Sequence, residues 1–183
     1  MMRITLCLVG LGAMLVAACQ SALPTESGTA YLVRHAEKET SETGSQNFNP
    51  RDPLLTQVGA LRAEALADRL ENAGIVEIWS SDTTRTRETA KPLAERLGLA
   101  IQIYDPFELE AFAAQLKTRS EATVLVVGHS NTTPPLAQLL GADPGPEIVE
   151  ASEYDRLYVI ELETGLGRIE RYGEASDRAP VDG

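Results

Sequence analysis

The chain contains two histidines, and both stand where an apolar run stops. In AYLVRHAEKE (residues 30–39), Ala30 to Val33 lead into Arg34 and His35; in VLVVGHSNTTPP (residues 124–135), a longer run leads through Gly128 into His129. A third stretch, SSDTTRTRETA (residues 80–90), follows another apolar segment and brings Arg85 and Arg87. Imidazole and guanidinium groups suit one kind of chemistry well. A neutral imidazole can attack phosphorus and carry the phosphoryl group covalently. Arginine forks match the oxygens of a tetrahedral dianion and offset charge in the transition state. Arg34 and Arg85 are the candidate phosphate ligands, whereas Arg87 reads as an ordinary surface arginine. Lys38 reads as a solvated loop residue. Ser130 and Asn131 could donate to phosphate or cap the helix that Pro134 and Pro135 open.

For this chemistry to operate, the fold must deliver distant residues to one place. Apolar β-like runs alternate with amphipathic helical segments along the chain. Strands are expected at 29–33, 75–81, 100–104 and 123–128. Helices are expected at 56–74, 83–98, 107–119 and 133–141, and a closing hairpin from 155 with its turn at Glu163–Gly165. In the first helix, Leu61, Ala65, Leu66, Leu70 and Ala73 form the expected apolar stripe, and Gly74 the stop. Pro92 is expected to kink or restart the second helix. Asp105 and Pro106 are expected to open the third. Trp79 and Tyr104 read as core or crevice wall, and residues 39–54 as a long polar loop. The alternation predicts a three-layer α/β/α sandwich with a mainly parallel central sheet. In such sheets ligands bind beyond the carboxyl ends of the strands, where both histidines lie.

The bulk numbers agree with a single domain. The chain has 183 residues, 43% of them hydrophobic, and a formal net charge of −11. That charge argues against nucleic acid and anionic lipid surfaces as partners of the folded part. The two cysteines, Cys7 and Cys19, both fall near the start. The body therefore carries no thiol nucleophile, disulfide or zinc–thiolate site. No compact His/Asp ligand cluster points to a metal, and no cofactor is implied.

Together LVRHAEK, SSDTTRTRETA and VVGHSN resemble the motifs of the histidine phosphatase superfamily, the clan that includes cofactor-dependent phosphoglycerate mutases. DPLLTQVGALRA (residues 52–63) is similar to the segment that follows the first motif in many members. The resemblance runs from about residue 30 to about residue 160. It implies a phosphoglycerate mutase-like fold and a phosphorylated small-molecule substrate. It assigns His35 as phosphorylated nucleophile, Arg34 and Arg85 as phosphate ligands, and His129 as second pocket histidine. Ala36 stands where many members have glycine. The proton donor implied by the family lies in an acidic loop after the second strand–helix unit. Asp105 is favoured there, with Glu108, Glu110 and Glu37 as alternatives. The expected activity is metal-independent hydrolysis of phosphomonoesters through a phosphohistidine. A non-catalytic phosphate- or phosphoglycan-binding lipoprotein and a mutase-type phosphotransferase are the alternatives.

Residues 1–18 have the anatomy of a secretory signal: one early cation, Arg3, a short apolar core, then small residues. VAAC (residues 16–19) resembles the bacterial lipoprotein cleavage box, which would lipidate Cys19. A tether is expected over 19–28, the catalytic domain over 29–172 and a loose tail over 173–183. The expected location is the periplasmic side of a bacterial envelope, with membrane contact only through that lipid.

Overall fold

The computed structural model describes residues 27–46 and 48–176. The elements run β1 (Thr29–Arg34), α1 (Gln57–Leu70), β2 (Glu77–Ser80), α2 (Thr84–Leu97), β3 (Ile101–Ile103), α3 (Leu109–Lys117), β4 (Val124–Gly128), α4 (Thr133–Leu140), β5 (Arg156–Glu161) and β6 (Gly167–Arg171). They form one six-stranded sheet in the order β3-β2-β4-β1-β5-β6. The four strands from β3 to β1 pair parallel, while β5 and β6 add antiparallel beyond β1. The fold is thus an α/β sandwich around a mixed sheet. The closing hairpin is where the sequence placed it, with Gly165 at φ +73° in its turn.

Strand alternation sorts the core into two halves. Ala30 and Leu32 of β1 and Val124 and Val126 of β4 pack with Phe112 of α3 and Leu136 of α4. Val33, Leu125 and Val127 face the other way, toward Leu66 and Leu70 of α1 and Leu93 of α2. Both sides of β1 and β4 are thereby covered, as a central parallel strand requires.

Three local expectations are corrected. The buried stripe of α1 is Gly59, Arg62, Ala63, Leu66, Ala67 and Leu70. Leu61 is exposed and Ala65 only half-buried. The helix is rotated because a charged residue, Arg62, faces inward. It clamps the Glu37 carboxylate at 2.7 and 2.9 Å and donates to the carbonyls of Tyr172 and Glu174. Pro92 does not restart α2, which continues through it to Leu97. Thr89, Ala90, Leu93 and Ala94 are buried around that position, and their packing offsets the missing backbone bond. Helix α3 starts at Leu109, two residues later than expected. Asp105 instead caps the preceding turn by accepting the Phe107 N–H at 2.9 Å.

Close packing also fixes how α1 meets the segment after His35. A Cβ on Gly59 would lie 2.2 Å from the Glu37 carbonyl oxygen, which is backbone and cannot swing aside. Gly59→Ala should therefore cost about 1–3 kcal/mol in urea unfolding. Val58→Ala on the exposed face should change stability by less than about 0.5 kcal/mol.

Candidate active site

Three parallel strands end level with one another. Arg34 is the register partner of Gly128, and Ser80 that of Val127. The next residue of each strand is His35, His129 and Ser81. His35 N–H donates to the Gly128 carbonyl at 2.9 Å, and Ser81 N–H to the Val127 carbonyl at 3.3 Å. The sheet itself therefore brings the two imidazoles together, with ring centroids 5.5 Å apart and planes at 67°.

Each ring is fixed in one tautomer. His35 Nδ1 lies 2.8 Å from the Ala36 carbonyl oxygen, which can only accept, so Nδ1 carries the proton. Its Nε2 keeps the lone pair. His129 Nδ1 faces Arg85 Nη2 at 3.4 Å, and a guanidinium can only donate. His129 Nε2–H then donates to Ser81 Oγ at 2.8 Å. Ser81 Oγ donates on to Thr86 Oγ1, which donates to the Ser81 carbonyl. The loop after β4 is held by the Thr132 and Thr133 N–H groups on the His129 carbonyl and by Thr132 Oγ1 accepting the His129 N–H.

The arginines differ in their surroundings. Arg34 is 1% exposed. Its Nη atoms donate to the carbonyls of Glu150 at 2.7 Å, Glu153 at 2.9 Å and Val149 at 3.5 Å, and Tyr154 stacks 4.1 Å from its guanidinium carbon. Nε has no partner. Of five donors, this leaves Nε–H and one Nη2–H uncommitted. Arg85, on the first turn of α2, likewise has a buried Nε without a partner. Asp52 stands 4.0 Å behind it while accepting from the Thr84 N–H and hydroxyl. Buried donors left open in a concave site are what an anion satisfies.

The other residues singled out in the sequence have surroundings of their own. Arg87 pairs with Asp82 at the surface. Asp105 is exposed and lines a hollow with Trp79, Tyr104 and Phe112. Glu108 and Glu110 border a groove beside α4, and Glu37 is held by Arg62. Lys38 reaches Glu150 at 3.6 Å. Cys19 lies outside the described residues. Among the described residues, no three His, Cys, Asp or Glu side chains are gathered to hold a metal ion. Sequence reasoning passed over Ser81, Asp52, Tyr154 and Arg62. Ser81 had a legible signal, a polar residue one step past a strand end; the other three act through contacts far along the chain.

Known chains resemble this one in sequence over part of its length and in fold over most of it. The model of the histidine phosphatase superfamily (branch 1) matches residues 30–108. A Yersinia pestis (strain Pestoides F) protein named "Probable phosphoglycerate mutase GpmB" is 40% identical over 77 residues, 42% of this chain and 34% of that one. The chain thus spans about a third of the length of the curated relatives it matches. Among solved structures, SixA from Agrobacterium tumefaciens superposes with a TM-score of 0.60 at 20% identity, over 81% of this chain and 98% of that one. The alpha-ribazole phosphatase from Shigella flexneri gives 0.60 at 14% identity, over 80% and 96%. The structural likenesses establish the fold, an α/β sandwich shared with these histidine phosphatases, while the family model and the sequence relatives match the first half of the folded part.

Burial, then the positive charges of the arginines, lower both imidazoles from their ordinary 6.5, His35 to about 2 and His129 to about 4. The unfolded chain therefore takes up protons first as pH falls. The histidine contribution to stability is complete above about pH 7 and is lost as pH drops below the unfolded value. Ring ¹⁵N shifts should report neutral imidazoles from pH 7 to 5, and the unfolding midpoint should fall over that interval. A variant with both histidines replaced by asparagine should flatten the fall.

Proposed function

We propose that the chain is a metal-independent phosphomonoester hydrolase that carries the phosphoryl group on His35. The observation that supports this most is the pair of neutral imidazoles, His35 buried and His129 half-buried, beside two arginines with unpaired buried donors. His35 Nε2, with its lone pair free, forms the N–P bond while the P–O bond to the leaving group breaks. The departing oxygen takes the electron pair and a proton. Water then attacks phosphorus and gives a proton to the carboxylate left by the acid, the N–P pair returns to Nε2, and phosphate leaves. Arg34 and Arg85 hold the equatorial oxygens as charge spreads over them. His129, its Nε2–H held on Ser81, takes up a proton at Nδ1 when the dianion binds and donates from that nitrogen to the same oxygens. Asp105 is assigned as proton donor in this reading, on its position just past β3. No cofactor takes part. The substrate is a phosphorylated small molecule, not nucleic acid.

A mutase-type phosphotransferase is the second reading, favoured by the sequence relatives named as phosphoglycerate mutases. Hydrolysis is preferred because the N-terminal pattern argues for export, where glycolytic phosphoesters are not expected. In this proposal VAAC is a lipoprotein box, Cys19 carries the lipid, and the enzyme acts on the periplasmic side of a bacterial envelope.

Residues 20–183 should hydrolyse p-nitrophenyl phosphate in the presence of EDTA. His35→Ala should lower kcat by at least about 10³-fold, and Arg85→Ala by about 10²–10³-fold. Phosphate binding without turnover would establish the binding module instead, and loss of activity with EDTA would establish a metal. Asp105→Asn should slow alkyl phosphates by about 10²-fold or more and p-nitrophenyl phosphate far less; equal rates on both would remove Asp105 as the acid.

A further inference from the structure

Beside His129 opens a cavity of about 500 Å³. One wall is Ser130 and Asn131, the two residues that follow the histidine, and the floor includes Gln138 of α4. The opposite wall belongs to the β4–β5 connection and includes Glu147, Ile148 and Glu150. Its tie to the phosphate ligands is direct, since the Glu150 carbonyl accepts from Arg34 Nη2 at 2.7 Å. The Glu150 carboxylate also acts electrostatically on His129, Arg34 and Arg85. A phosphoester seated on the two arginines would thus extend its alcohol portion along this wall. The volume suits a small organic group.

Charge decides what that group can be. The lining contains two carboxylates, Glu147 and Glu150, and neither lysine nor arginine. Lys38 at 3.6 Å offsets one of them. Arg156, under the wall at the Pro146 carbonyl, is already matched by Glu153. Arg34 and Arg85 are matched by the phosphoryl group itself. A second anion on the substrate would face carboxylates with no cation left to meet it.

Resting on the hydrolase reading, we infer that this cavity is the leaving-group subsite and that it selects phosphomonoesters of amine-bearing or uncharged alcohols against those bearing a second negative charge. The test measures kcat/KM for phosphoethanolamine, glycerol 1-phosphate and 3-phosphoglycerate, each divided by the value for p-nitrophenyl phosphate. The expected order is cationic, then neutral, then anionic, with the extremes at least about tenfold apart at low salt. In Glu147→Gln/Glu150→Gln the cationic-to-anionic ratio should fall by about fivefold or more. A general loss of folding or catalysis cancels in that ratio, and so does loss of a proton donor, which slows every alkyl ester alike. The inference is overturned if 3-phosphoglycerate is used as well as phosphoethanolamine, or if the ratio does not move in the double variant. If none of the esters is turned over, the hydrolase reading fails separately. Competition of the same three esters for bound phosphate then reads the charge preference, and an unchanged ranking in the double variant overturns it.

Discussion

The site depends on the register between β1 and β4. Arg34 sits opposite Gly128 at the last rung of a parallel ladder, and the next residue on each strand is a histidine. A slip of one residue would reverse the faces of β1 and drive Arg34 and Val33 into the wrong halves of the core. Core packing therefore enforces the alignment of the imidazoles. Gly128 tightens it further, because a Cβ there would lie 2.6 Å from the Tyr104 hydroxyl and 2.8 Å from Thr132 Oγ1. Those same groups shape the turn that presents His129.

Placing positive charge in a buried position is costly unless something answers it. Arg34 is answered by carbonyl oxygens and an aromatic face rather than by a carboxylate. That arrangement holds the guanidinium without neutralising it, so its field still reaches His35 and adds to burial in keeping the ring unprotonated. Arg62 shows the opposite solution, since the Glu37 carboxylate pairs with it directly and leaves α1 anchored to the segment after His35. Arg34 and Arg62 are alike in burial, yet one keeps a buried donor without a partner and the other is paired with a carboxylate.

Much of this was legible in the sequence because it rests on short-range signals. Period-two and period-3.6 patterns located the strands, helices and hairpin, and the position of each histidine after an apolar run pointed to the strand ends. What escaped were features settled by partners distant in the chain. The rotation of α1 follows from Glu37 and the Tyr172–Glu174 backbone, which the apolar stripe through Leu61 and Ala65 could not reveal. Pro92 looked like a break because a local rule cannot weigh the burial of Leu93 and Ala94. Asp52 lay in what read as an undifferentiated loop, yet it caps the helix that carries Arg85. Asp105 kept its capping role but served a turn instead of α3.

Glu153 has a wider consequence. Its side chain joins Arg156 and Arg171 across the β5–β6 hairpin, and its carbonyl receives Arg34. The chain from Asp143 to Glu147 is thus a loop pinned at its downstream end by a knot it does not itself supply. The Pro146 and Pro144 carbonyls in turn accept from Arg156 Nη1 and the Tyr158 hydroxyl of β5, so the bend is tied to the sheet through its backbone. Exchanging an exposed side chain there, such as that of Glu147, would reshape the wall beside His129 and leave those ties in place.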